Sequence, residues 1–549
     1  MVAVSQQSAF PPISSRRRWA ITAGVMTGMF LAALEATVIG TAMPTVVAAL
    51  GGLRHFSWVF SAYLLTSTVT VPLWGKLSDL YGRRLFYQLA IAIFLVGSVA
   101  SGMSQSMSWL IAARALQGLG AGGLIPLGMT IIGETYTLQE RARMQGLFSG
   151  VWGLSSVIGP VIGGFITDQW SWRWVFYINV PIGIAAAVIM GVALRETKRT
   201  SRPSIDYLGA FTLTASVTLL MLVLVEGGTT AALMQPRNLL MLATVVALLI
   251  WFIRIERNAK EPIVPLDMFR NRVVSISMII GFLAGVAMFG VISFVPLFAQ
   301  GALGASATAA GSFLTPLMLA WVSASVVGGR LLIRVGSRPL VIAGLLALVA
   351  GLAGLSTASP RTPRILLIVE LTVIGIGLGL TMLTLLIAVQ HAVPREQLGI
   401  ATSLNQFFRS IGGAMGVALL GALLTTGLAA NLRRAASGPD APLTLAQAVQ
   451  LAENPSALVN PEARANLGAR GTAALQEAMS GAIRSVFVGS GALAAIALVF
   501  AFFLPHDRPG GEEDGEKFVM AEMTVMDAGD EPETADSAEA KFETPTSAS

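Results

Sequence analysis

The chain of 549 residues contains no cysteine and only three histidines, His55, His391 and His506. Disulfides and thiolate metal sites are excluded, and scattered imidazoles without clustered membrane carboxylates leave no metal set or nucleophile constellation for an embedded enzyme. Charge is scarce as well: Asp, Glu, Lys and Arg make up 12% of the residues, about half the share usual in soluble domains. What remains is greasy. Apolar residues reach 54% and the mean hydropathy is +0.71, which places the chain among membrane proteins.

Apolar segments of roughly 20 residues recur from Trp19 to Leu504, each long enough as a helix to cross about 30 Å of hydrocarbon. No run alternates strictly over ten residues, as barrel strands do, so the spans are expected to be helices. We count fourteen, the first near 19–41 and the last two near 402–424 and 484–504. The basic run "SRRRW" precedes an apolar run too long for a secretory signal and without a convincing cleavage site, so a retained first span is expected. With the N-terminus inside, the inner segments through the loop between spans 12 and 13 carry 21 Lys and Arg. The short outer loops carry Arg54, Arg173, Arg237, Arg361 and Arg364. The positive-inside rule therefore puts both termini in the cytoplasm. Topology also accounts for the net charge of +6 and the pI near 9.9 without a nucleic-acid partner.

The second half repeats the first. "GKLSDLYGRR" (Gly75 to Arg84) after the second span is echoed 254 residues later by "GRLLIRVGSR" (Gly329 to Arg338), and "GLGAG" at Gly118 by "GIGLG" at Gly375. Duplicated halves mark secondary transporters. The expected organisation is a cytoplasmic N-terminus (1–18), a six-helix bundle (19–200), two inserted helices (201–260), and a second six-helix bundle (261–505). That second bundle includes a long outer loop (425–483) with short amphipathic helices. A disordered acidic tail (506–549) follows, since 13 of the 30 acidic residues lie after Pro505.

These motifs resemble those of the major facilitator superfamily, and in particular its fourteen-span drug:proton antiporters, over roughly residues 15–505. "GKLSDLYGRR" is similar to that family's loop motif, "LIAARALQGLGAGG" to its span 4 motif with a membrane arginine, and "GLSSVIGPVIGG" to its span 5 antiporter motif. "LEATVIGTAMP" resembles the span 1 motif, and "WRWVFYINVPIG" looks characteristic of the fourteen-span branch. Glu35 stands where Asp is more usual, and Ile333 stands at the second copy's counterpart of Asp79. The resemblance implies an all-α polytopic major facilitator fold, two six-helix bundles plus two inserted helices, 14 transmembrane helices in all. It also implies a cytoplasmic gate role for Asp79, Arg83 and Arg84 beside the motif glycines Gly75 and Gly82. Glu134 is placed to join them. For span 5 it implies that a bend at Pro160, among Gly153, Gly159, Gly163 and Gly164, seals against leakage and favours exchange; plain helix packing is the alternative.

Ionisable groups in a membrane are costly and are functional candidates by default. Glu35 is the sole charge between Trp19 and Val47, and Arg114 enters span 4 from the outer side at comparable depth. We expect them to face one cavity and to bind and release a proton; a static ion pair joining spans 1 and 4 is the competing reading. Glu370, beside the repeat counterpart of Arg114, and Arg409 form a second candidate pair. Asn405, Gln406 and Arg409 make a polar patch that could line a substrate path or bond helix to helix. Asp206 and Glu226 fall at the ends of span 7, where an interfacial place is expected. The loop basics could also serve topology alone. Tyr63, Trp152, Phe294 and Phe298 are candidates for stacking on a flat ligand.

An acid in an otherwise apolar cavity suits an amphipathic cation. The expected function is proton-coupled efflux of lipophilic, often cationic drugs from a monomer in the bacterial inner membrane, driven by the proton gradient with no cofactor. Export of an endogenous lipid, siderophore or metabolite is the alternative on the same fold. A channel is disfavoured because no filter-like repeat is present.

Overall fold

The computed structural model describes residues 14–50, 56–194, 206–226, 234–305, 310, 312–437, 441–453 and 467–506. The expected disordered tail, from 507 onward, lies outside the described residues, as do most of the connections flanking the inserted helices. Among the described residues there are helices and turns but no strand.

The first half contains α1 (Ser15–Leu50), α2 (Phe56–Tyr81), α3 (Arg83–Gly102), α4 (Met107–Thr135), α5 (Leu138–Gln169) and α6 (Trp174–Ala193). Then come α7 (Tyr207–Glu226) and α8 (Pro236–Glu256). The second half contains α9 (Arg272–Gly301), α10 (Leu314–Val335), α11 (Ser337–Leu355), α12 (Arg364–His391), α13 (Leu398–Ala435), the short α14 (Leu445–Glu453) and α15 (Gly468–Ala501). Twelve of these helices are long and apolar enough to cross a membrane. α2 and α5 are not among the twelve, but at 26 and 32 residues they are long enough, and they pack on α4 and α1 inside the same bundle.

Two ends differ from expectation. α13 runs to Ala435 and α15 starts at Gly468, so much of the expected outer loop is continuous helix, and "RGTAALQEAMSGAIRSVF" is the first half of α15 rather than a separate segment. The reason is that hydropathy falls where charged side chains enter, whereas backbone hydrogen bonding continues along an amphipathic face. α14 does form a short helix within "LTLAQAVQLAENP".

Local chemistry sets the boundaries. Asn271 caps α9 by accepting from the Val273 N–H at 2.9 Å, and Pro236 opens α8, where its missing N–H costs nothing. Between α2 and α3 the chain turns at Gly82 with φ 107°, and between α10 and α11 at Gly336 with φ 88°. These are the glycines matched by the repeat, and both adopt a backbone region that L side chains avoid.

The glycine triads of α4 and α12 also do the same work twice. Gly118 and Gly122 face the α2 backbone and Gly120 faces α3; Gly375 and Gly379 face α10 and Gly377 faces α11. Small residues at alternating positions let one helix lie against two neighbours at once. The apolar core divides accordingly. One set of clusters lies within α1–α6, joined only by Leu386 of α12, and another within α9–α15. A further cluster joins α2 and α13 with Leu213, Val217, Met221 and Phe252 of α7 and α8, so the inserted pair covers the seam between halves.

A Cβ on Gly377 would sit 2.6 Å from the Gly344 carbonyl oxygen and from the Leu348 nitrogen, whereas one on Gly164 meets nothing within 4 Å among the described residues. Gly377→Ala is therefore expected to destabilise the protein by about 1–3 kcal/mol, and Gly164→Ala to leave it unchanged. Thermal melting of the two variants in one detergent checks the difference.

Candidate functional site

α1 carries Glu35 to the middle of the first bundle, where α4 brings Arg114 from the opposite direction. Both are 1% exposed. Glu35 Oε1 takes an ion-paired hydrogen bond from Arg114 Nη1. Its other oxygen accepts from Asn179 Nδ2 at 2.5 Å, and the same amide donates to Ser98 Oγ at 2.9 Å. The Ser98 hydroxyl in turn donates to the Phe176 carbonyl at 2.9 Å. Arg114 Nη1 also donates to Gln117 Oε1 at 2.6 Å, one helical turn on, and Nε donates to the Val59 carbonyl at 3.3 Å. The Tyr63 ring lies beneath the guanidinium, 4.2 Å from Cζ to its centroid. Five helices thus converge on one carboxylate.

The sequence places Glu35 and Arg114 together, and the structure brings them into direct contact. It does not give them a shared open cavity. Asn179, Ser98, Gln117 and Tyr63 occupy the space around the pair, so water reaches neither group in this conformation. Charge-assisted hydrogen bonds to both carboxylate oxygens are what make such burial tolerable. Sequence reasoning missed Asn179, Ser98 and Gln117. Asn179 lies in "WRWVFYINVPIG", where an amide inside an apolar segment is the available signal. Tyr63 faces Arg114 rather than an open path. Phe294 and Phe298 are buried, with Phe298 edge-on to Phe487 in the core of the second half. The Trp152 side chain lies outside the described residues.

Glu370 and Arg409 do not meet. Glu370 packs against Gly354 of α11, and its Oε2 is buried without a hydrogen-bond partner. Arg409 donates to Gln406 on its own helix, and its backbone lies against Gly285 of α9. Asn405 is buried nearby on α13, 7% exposed. In α5, Gly159 faces Thr37 of α1, whereas Gly153 and Gly164 have open space where a Cβ would stand, among the described residues. Gly163 is buried and Pro160 falls within the helix; the Pro160 side chain is outside the described residues.

A second constellation lies where α2 and α3 meet. Asp79, 4% exposed, accepts from the Gly399 N–H at 3.1 Å and the Ile400 N–H at 2.8 Å, the first turn of α13. Arg83 is ion-paired with Asp79, and its Nε and Nη2 donate to Glu134 Oε1 at 3.1 and 2.9 Å. Its Nη1 donates to Ser78 Oγ at 2.6 Å. Arg84 follows, half-exposed. Gly75 permits the approach, since a Cβ there would lie 2.9 Å from the Gly399 carbonyl oxygen. Lys76 reaches Glu261 beyond α8 at 2.9 Å, a link the sequence did not announce.

The two repeat copies differ in how the helix that follows the other half begins. The N-cap residue of α13, Gln397, makes no side-chain cap hydrogen bond, so Asp79 caps that helix from the other half of the molecule. The counterpart helix, α5, caps itself: Glu140 Oε2 accepts from the Thr137 N–H at 3.0 Å. A carboxylate at a helix N-terminus also gains from the helix dipole.

Two helical bundles related by an internal repeat, joined by a polar clasp at one end and enclosing a buried ion pair, define a membrane transporter architecture. The comparisons agree. The profile of the Major Facilitator Superfamily matches residues 25–417, and the chain belongs to that superfamily; it is a multi-pass membrane transporter and not an enzyme. The chain is 42% identical over 410 residues to the multidrug transporter protein MdtP of Bacillus subtilis (strain 168), covering 75% of this chain and 76% of that one. It is 37% identical to multidrug resistance protein 3 of the same organism, covering 76% and 82%. The crystal structure of the human organic anion transporter MFSD10 (TETRAN) has the same fold, with TM-score 0.57 at 13% identity, covering 90% of this chain and 100% of that chain.

Removing one partner of a buried pair strands the other. Arg114→Met is expected to cost about 3–5 kcal/mol, and adding Glu35→Gln to it should restore most of that loss. Melting curves for the single and double variants read the coupling. At the clasp, Asp79→Asn should weaken the contact between α2 and α13 by about 1.5–3 kcal/mol. Transport should fall at unchanged expression, and a wild-type rate would refute the role of this cap.

Proposed function

We propose that the chain is a fourteen-span drug:proton antiporter that exports lipophilic, often cationic compounds by alternating access. In this reading α2 and α5 are spans alongside the twelve more apolar helices, α7 and α8 are the inserted pair, and both termini are cytoplasmic in a bacterial inner membrane. The clasp of Asp79, Arg83 and Glu134 then closes the cytoplasmic end.

The observation that carries the reading is Glu35: a carboxylate enclosed at the centre of a bundle, held by one guanidinium and one amide. Its charge is balanced only while Arg114 stays in place. Protonation neutralises the carboxylate, weakens its hold on Arg114 and Asn179, and lowers the electrostatic cost of separating α1 from α4. Deprotonation restores the pair. A cationic substrate entering from the cytoplasmic side competes with the proton, and with Arg114, for the same oxygens, which couples drug exit to proton entry. Support also comes from the relatives, whose names describe multidrug transport and resistance. Breaking the Asp79 cap on α13 is the step that opens the cytoplasmic side, because it frees a helix start whose first-turn N–H groups are met from the other half of the molecule.

Proton-loaded vesicles test the reading. Adding a lipophilic cation should release protons with the wild-type protein and not with Glu35→Gln, and a protonophore should abolish drug accumulation. Equal proton release from Glu35→Gln would remove Glu35 from the coupling. Unchanged drug sensitivity on deletion, with altered envelope or medium contents, would favour an endogenous substrate instead.

A further inference from the structure

At the end opposite the clasp, α11, α13 and α15 leave a cleft of about 750 Å³ that the transport cycle described above does not use. Its walls carry Ser356, Asn431, Arg434, Glu477, Arg484 and Val488. The α15 contributors recur every three to four residues, from Glu477 through Arg484 to Val488, so one helical stripe forms one wall. Arg434, in the last turn of α13, forms part of the facing wall.

Neither arginine pairs with an acid among the described residues. Arg484 lies deeper, and its Nε is buried with no hydrogen-bond partner. A guanidinium whose donor is shielded from water and left unmet is an unfilled demand, because each such donor forgoes its hydration. Asn431 Nδ2 is already engaged with the Ala478 carbonyl at 3.0 Å. Glu477 is exposed. Two guanidinium charges against that one carboxylate leave the cleft with a single net positive charge.

The lower end of the cleft is apolar. Val488 is 57% exposed, and beyond it the seam of α13 and α15 continues with Leu423, 42% exposed, beside Gly489. A singly charged head between Arg434 and Arg484, with a hydrocarbon tail running over Val488 and Leu423, satisfies both the charge and the grease. Arginine suits this task because its planar fork meets phosphate oxygens in pairs.

We propose that this cleft binds the phosphodiester headgroup of an anionic phospholipid from the leaflet opposite the clasp. The inference is independent of the substrate and of proton coupling, since none of these residues touches Glu35 or the clasp.

Native mass spectrometry of the full-length protein, equilibrated with equal amounts of phosphatidylglycerol and phosphatidylethanolamine, tests it. The wild-type protein should retain phosphatidylglycerol preferentially, and Arg434→Gln with Arg484→Gln should reduce that preference about ten-fold. Glu477→Gln, which keeps both arginines and removes the opposing charge, should raise it; this gain-of-binding variant guards against a double variant that simply misfolds. Excess inorganic phosphate or glycerol 3-phosphate should not displace the lipid. Equal retention of the two lipids by wild type, or an unaltered preference in a monodisperse double variant, would overturn the proposal. Displacement by inorganic phosphate would also overturn it, by assigning the cleft to a soluble anion.

Discussion

The buried pair of Glu35 and Arg114 is the constraint around which the first bundle is organised. An ionised carboxylate and a guanidinium at 1% exposure are tolerable only if each is fully engaged. The surrounding helices supply those partners: α4 gives Gln117, α3 gives Ser98, α6 gives Asn179 and α2 gives Tyr63 and the Val59 carbonyl. The close packing of α4 on α2 and α3 through Gly118, Gly120 and Gly122 holds Arg114 in register with them. A pair this fully enclosed is poorly suited to adding stability, since apolar residues would serve as well. It is well suited to resisting separation until one charge is neutralised.

The second half repeats the scaffold without repeating the chemistry. Gly336 turns as Gly82 does, and Gly375, Gly377 and Gly379 pack as their counterparts do. Yet among the described residues Glu370 has no guanidinium opposite and Arg409 no carboxylate. The clasp is likewise one-sided: Asp79 caps α13 across the molecule, while α5 caps itself. The inserted α7 and α8 lie over this same seam, and the link from Lys76 to Glu261 ties the gate motif to the segment that follows them. A repeat that keeps the glycine turns but differs in its polar contacts gives two halves of which, among the described residues, only the first carries a buried ion pair.

The sequence exposed those parts whose physics is local. Hydrophobic length marked the helices, the 254-residue echo marked the repeat, and a lone acid in an apolar run marked Glu35. Charge complementarity was enough to join it to Arg114. What stayed hidden depends on tertiary approach. Asn179 and Ser98 are unremarkable in their own helices and matter only because α3, α6 and α1 meet. The cap from Asp79 to the backbone of Gly399 involves no side chain on the second partner, so no residue type announces it. The ends of α13 and α15 were missed because polar residues lower hydropathy without breaking a helix.

The proposed cycle turns on Glu35 exchanging its pairing with Arg114 for a proton. Infrared difference spectroscopy on the purified protein, recorded on addition of a lipophilic cation, reads that carboxyl group directly. The predicted result is a change in a carboxylic-acid carbonyl band that is absent from Glu35→Gln. A spectrum in which wild type and Glu35→Gln show the same carboxyl changes would contradict it.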